Sequence, residues 1–285
     1  MHIMKHAIHS YAVICLLFLV LLVASAGCTG ADKTNLLDNP TKTENGILAT
    51  TSSEQPTIIV AINKDLAPFT YADVDNNPKG FDIDTLNAIA TSEGYTIEYV
   101  FVPWAEALSG LTSRDYDLVA GGVIVTPERQ ASFDFSDPYW QLNLTYVVNT
   151  DSPFAVSDIE SGTARIGALS GSTSAQYLTD TYITPGTITP EYLTLYNTTD
   201  GSLIALRDGD LNAVLMDAPT AQSMIRGDPY MILNASFTIA ELVRTQDNYA
   251  FAVRKGNNEL LTDINNGLAN LRANEDWKRT GAEQL

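Results

Sequence analysis

The sequence predicts an α/β protein of two lobes, each a mostly parallel sheet flanked by helices, joined by two hinge crossovers. Three observations carry this. From Thr57 onward, apolar strand-like runs alternate with segments of helical period. A second series of the same kind begins at Ala164. Extended apolar stretches at 142–149 and 249–253 flank that second series, and the later one is expected to rejoin the first sheet. Such a chain leaves one lobe, builds another and returns, which places a cleft between lobes that can close about a hinge.

Residues 1–27 stand apart from this fold. His and Lys near the start precede an apolar core at 12–24, then Ser25-Ala26-Gly27 and Cys28. The core is shorter than the roughly 20 residues a spanning helix needs, so the segment reads as a signal peptide. Small residues before Cys resemble a lipobox, with Cys28 expected to be lipidated as the mature N-terminus, although Ser25 stands where Leu is more usual. Ordinary cleavage with Cys28 incidental is the alternative. Residues 28–56, rich in Thr, Asn, Asp and Ser, read as the lipidated N-terminus and a flexible tether.

Removing residues 1–27 narrows the chemistry. His2, His6, His9 and Cys15 all lie inside them, leaving 258 residues with no His and Cys28 alone. That excludes an imidazole base, a disulfide within the chain and a Cys/His metal site. Lys5 also leaves, so 15 basic residues face 34 acidic ones, a net charge of −19. A surface of that sign repels nucleic acid and anionic lipid.

The first lobe is expected at 57–144. Residues 57–62 form a buried strand that ends at Asn63 and a turn through Ala67-Pro68. Residues 71–80, with Asp, Asn, Pro and Gly, read as a loop or hairpin tip. Ile83, Leu86, Ile89 and Ala90 mark one face of a helix that Gly94 stops. A strand at 95–102, a short helix at 104–111 and a strand at 117–120 follow. The second lobe, 145–246, holds a strand at 164–169 and a helix opened by Ser170-Gly171-Ser172-Thr173-Ser174. Its strand at 213–216 leads to Asp217-Ala218-Pro219 and a further helix. The return segment, 247–285, adds the strand at 249–253 and an amphipathic helix at 260–277. Asn143, Asn197 and Asn234 each open a short glycosylation pattern.

One stretch organises the rest, residues 121–139. A buried strand ends in Gly121-Gly122, backbone that a ligand can approach closely. Thr126 before Pro127 is the pairing of an N-cap and first helical residue, and Arg129 falls in that first turn. A guanidinium fork beside free amides suits capture of a small carboxylate. The plainer alternative pairs Arg129 with Glu128 or Asp134 on a surface helix.

This stretch, with Gly80-Phe81-Asp82-Ile83-Asp84 upstream and Asp217 downstream, resembles family 3 extracellular solute-binding proteins, the polar amino-acid receptors of ABC importers. The likeness runs from about Ile58 to the C-terminus and implies the type II periplasmic-binding-protein fold. It implies that Arg129 clamps a ligand α-carboxylate, that the Thr173 N–H joins it, and that Asp217 and the Gly122 carbonyl take the α-ammonium. Gly121 adjoins that carbonyl, and Trp104 matches one aromatic wall. Three positions depart from the family pattern: Ile124 replaces a hydroxyl residue, Asn63 an acid and Leu66 an aromatic. Losing the acid argues against lysine or arginine and for a neutral or polar amino acid. Plainer roles stand beside these, with Asp217 capping a helix, Trp104 in the core and the glycines in a turn. The resemblance implies a non-enzymatic monomer without cofactor or metal. Its partners are an amino acid, an ABC permease and, through Cys28, the outer face of the cytoplasmic membrane. An enzyme on the same fold, similar to dehydratases acting on prephenate or arogenate, is the alternative, and a fused sensor is disfavoured.

Overall fold

The chain forms two successive five-stranded sheets, each with parallel strands on one side and antiparallel ones on the other, and a small three-stranded sheet between residues 65 and 79. The structure is a computed structural model that describes residues 55–152, 154–226, 237–273 and 277. Residues 1–27, the tether up to residue 54 with Cys28, and Asn234 lie outside the described residues. The first part comprises β1 (Thr57–Ile62), β2 (Asp65–Leu66), β3 (Thr70–Ala72), β4 (Pro78–Lys79), α1 (Phe81–Glu93) and β5 (Thr96–Phe101). It continues with α2 (Trp104–Ser113), β6 (Leu118–Val119), α3 (Pro127–Ser132) and β7 (Phe133–Phe135). The second part comprises β8 (Trp140–Asn149), α4 (Val156–Glu160), β9 (Ile166–Leu169), α5 (Thr173–Leu178) and β10 (Leu193–Tyr196). It ends with α6 (Thr199–Arg207), β11 (Ala213–Asp217), α7 (Ala218–Ile225) and β12 (Phe237–Tyr249). The return consists of β13 (Ala252–Arg254) and α8 (Asn258–Arg272).

The first sheet has the order β5-β1-β6-β13-β7 and the second β10-β9-β11-β8-β12. In each, the strands joined by helical crossovers pair in parallel. The added strands pair antiparallel, so the parallel character is confined to one half of each sheet. This is the α/β, two-sheet fold the sequence predicts, with β13 returning to the first sheet as expected. The loop at 71–80 is a hairpin, β3 with β4.

Local sequence explains the element ends. Gly94 stops α1 in the left-handed region at φ 82°, its N–H donating to the Ala90 carbonyl. Thr126, Ser172 and Thr198 each cap a helix with a side-chain oxygen. The apolar face of α1 (Leu86, Ile89) packs with Ile264 and Leu268 of α8 in one core. Each such buried side chain contributes about 1.5–3 kcal/mol.

The two crossovers between sheets run side by side. β8 already enters the second sheet at Trp140, and β12 stays in that sheet to Tyr249. The Tyr139 N–H donates to the Tyr249 carbonyl at 2.9 Å. An aromatic cluster fills this junction: Phe69 meets Tyr249 edge-on at 4.7 Å, and Tyr139 stacks on Phe251 at 4.6 Å. The crossovers are thereby pinned where both sheets present their strand ends to the cleft.

Candidate functional site

The site is assembled from the carboxyl ends of β6 and β11 and the first turns of α2, α3 and α5. In parallel α/β sheets these ends are where the chain leaves room for a ligand. Leu66, Trp104, Gly122, Ile124, Arg129, Thr173 and Asp217 line one small chamber, together with Leu169 and Ser172. Two predicted residues lie outside it. Asn63 lines a separate chamber of about 300 Å³ with Asp65, Phe101 and Asn197, and its Oδ1 accepts the Asp65 N–H at 2.9 Å. Gly121 sits behind the chamber, with its missing Cβ position 2.7 Å from Thr70 Oγ1.

Arg129 is placed by the helix start that the sequence predicts. Its N–H donates to Thr126 Oγ1 at 3.1 Å, closing the first turn of α3. Its guanidinium neither pairs with Glu128 nor reaches Asp134, which bonds Lys255 instead. Nη1 donates to the Ile124 carbonyl at 2.8 Å and Nη2 to the Gly171 carbonyl at 3.1 Å. The guanidinium carbon lies 6.0 Å from the Trp104 ring centre, a cation–π distance. Burial lowers the Arg129 pKa, while Asp217, Glu128 and Asp247 act to raise it.

Asp217 faces Arg129 from the second sheet. It stands at the N-cap of α7 yet makes no side-chain cap bond, so the plain capping role does not hold. Its Oδ2 instead accepts from the Tyr249 hydroxyl. Burial raises this carboxyl to about 6; Asp247 adds to the rise, while Tyr249 and Arg129 oppose it.

The double glycine is held from behind by Asp82, the second residue of α1. Asp82 Oδ2 accepts from Gly121 N at 2.8 Å, Gly122 N at 3.2 Å and the Tyr139 hydroxyl at 2.7 Å. Burial raises this carboxyl to about 6 against those three bonds. With both amides committed to Asp82, the glycines retain only carbonyls for other partners. Gly122 adopts φ +61°, and a Cβ there would lie 2.9 Å from Tyr249 Cζ, so a larger residue is strained and has to displace the ring.

The chamber has about 20 Å³, room for about one water. Beside it a groove of about 430 Å³ opens along Thr126, Arg129, Gly171 and Thr173. Admission of anything larger than water therefore needs the two sheets' lobes to move apart. The bond between Arg129 and Gly171 spans the cleft.

Sequence reasoning missed the supporting groups. Asp82 stands in the quoted Gly-Phe-Asp run but had no role assigned to it. Tyr249 opens the strand expected at 249–253, and its contact with Asp217 spans 32 positions, beyond any local spacing signal. Leu169 and Ser172 flank the predicted Ser-Gly-Ser-Thr turn and were within reach of the same argument.

Comparison with known proteins matches this architecture. The family model described as bacterial extracellular solute-binding proteins, family 3, covers residues 58–283. A probable histidine-binding protein of Neisseria gonorrhoeae is 27% identical over 224 residues, 79% of this chain and 81% of that protein. Among solved structures, an ancestral arginine-binding protein bound to arginine matches with TM-score 0.72 and 27% identity, covering 81% of this chain and 99% of that one. The ancestral amino acid-binding protein AncCDT-1, described as a precursor of cyclohexadienyl dehydratase, matches with TM-score 0.69 and 26% identity, covering 80% of this chain and 95% of that one. The fold is that of the type II periplasmic binding proteins. With the match spanning most of the chain, the protein belongs to the bacterial extracellular solute-binding proteins, family 3.

Proposed function

We propose that the protein is an extracytoplasmic receptor that binds a neutral or polar α-amino acid between its lobes and delivers it to an ABC importer. The observation that carries this is the pairing of Arg129 and Asp217 across one chamber. A zwitterion needs a fork for its carboxylate and an anion for its ammonium, and these two side chains supply both. Thr173 at the first turn of α5 offers a further N–H to the carboxylate, and Gly122 a carbonyl to the ammonium. Ile124, Leu66 and Trp104 then form an apolar wall, which suits a side chain without a terminal charge. Calorimetry against an amino-acid panel tests this. Micromolar or tighter binding of at least one neutral or polar amino acid supports it, and heat from none of them refutes it.

Cys28 and the tether belong to the same proposal, with lipid on Cys28 holding the receptor at the membrane's outer face. The wild type is then expected in the detergent phase and Cys28→Ser in the aqueous phase. Wild type remaining aqueous after native expression overturns this part alone.

One observation favours a second reading, an enzyme of the dehydratase kind. The Asp217 carboxyl, raised to about 6, faces the chamber and has the character of a general acid. A structural neighbour is also described as a dehydratase precursor. Product analysis after incubation with arogenate separates turnover from binding.

A further inference from the structure

We infer that Tyr249 is the positioning residue of the site: one side chain at the end of β12 sets the ligand-facing groups of both sheets. Its hydroxyl donates to Asp217 Oδ2, on the second sheet. Its ring lies against Gly122, on the first, close enough that a Cβ there would sit 2.9 Å from Cζ. Its backbone forms an isolated antiparallel bridge with Ile124, whose carbonyl accepts from Arg129. The groups proposed to hold carboxylate and ammonium thus share a single support.

The support is rigid. Tyr249 is fully buried, meets Phe69 edge-on and has Tyr139 at 6.3 Å. Its carbonyl also accepts the Tyr139 N–H, which ties it to the other crossover. A phenol donating to a carboxylate favours the ionised form and fixes which oxygen remains free for a ligand. The charged and titratable groups facing Asp217 are Tyr249 and Asp247 on β12 and Arg129 on α3. Those facing the Tyr249 hydroxyl are Asp217, Tyr139 and Asp82. Asp247 works against ionisation of Asp217, so Tyr249 and Arg129 are the groups that keep it charged.

The Tyr249 contact stands on geometry alone; its effect on ligand binding rests on the receptor reading above. The test uses Tyr249→Phe in the full chain, which removes the hydroxyl and keeps the ring. Carboxyl-carbon NMR of Asp217 in ligand-free protein is expected to show its titration midpoint moving upward. Calorimetry with L-glutamine is expected to show affinity falling about tenfold near pH 6, a hydrogen bond to a charged group being lost. The loss should shrink by pH 8, where Asp217 is ionised in both proteins. In an Asp217→Asn background the same change should leave no pH-dependent difference. Should Tyr249→Phe fold poorly, fluorotyrosine at position 249, a stronger donor, is expected to move the midpoint downward. A midpoint unmoved by either replacement, with pH profiles that stay parallel, overturns the inference and leaves Tyr249 as packing. A moved midpoint in a protein that binds no amino acid upholds Tyr249 and removes the receptor reading.

Discussion

Arg129 Nη2 donates to the Gly171 carbonyl at 3.1 Å, so a side chain from the first half of the cleft is bonded to a turn of the second. Only two of the five guanidinium N–H groups are engaged, one with the Ile124 carbonyl and one with Gly171, so others remain for a ligand carboxylate. The same side chain therefore bridges the cleft and faces the proposed ligand.

Arg129→Ala is expected to weaken amino-acid binding by about 2–5 kcal/mol, the range for truncating one member of a buried charge pair. Arg129→Lys should recover little, because a point charge cannot span two acceptors in the way a planar fork does. Calorimetry on the two variants decides this. Unchanged affinity in Arg129→Ala removes the residue from the site.

Ligand-free stability should rise as the solution is acidified from pH 7.5 to 5. Asp65, Asp82 and Asp217 are each raised from 3.8 to about 6, in all three cases chiefly by burial. Asp200, across the cleft, adds to the rise at Asp65. A raised carboxyl pKa means that the folded state keeps protons which the unfolded chain has released. Stability is then lost as pH rises between about 4 and 6 and is regained on acidification. Asp73, Asp134 and Asp208, near the surface, are shifted the other way, so what they contribute is lost only below the ordinary value of 3.8. The melting temperature should climb by roughly 2–4 °C for each kcal/mol recovered. A melting temperature that falls over this interval contradicts the burial of these groups.

Gly122→Ala should destabilise the fold by about 1–3 kcal/mol, since it meets both a positive φ and the Tyr249 ring. Urea denaturation reads this directly. A change within about 0.5 kcal/mol of wild type would show that the ring can yield.

What the sequence made legible follows from the range of each signal. Helix starts at Thr126-Pro127 and Ser172-Thr173 are local chemistry, and both stand where that chemistry puts them. The return of β13 to the first sheet followed from the order of strand-like runs. The bonds from Tyr249 to Asp217 and from Asp82 to Gly121 and Gly122 join residues 32 to 40 positions apart. No periodicity or cap signal reports such contacts. Asn63 shows the converse. The resemblance implies a ligand contact at its position, but its Oδ1 turns back to the Asp65 N–H and it faces another chamber. Asn63→Asp is accordingly expected to change arginine affinity less than the roughly tenfold that a direct contact with the side-chain end implies.

The decisive measurement is calorimetry of wild type and Asp217→Asn with L-glutamine and with its 2-oxo analogue, in which a carbonyl replaces the α-ammonium. Wild type should bind the amino acid and reject the oxo acid, and Asp217→Asn should lose most of its affinity for the amino acid. Tight oxo-acid binding by wild type, strengthened in Asp217→Asn, would contradict a clamp built from Arg129 and Asp217 around an α-amino acid.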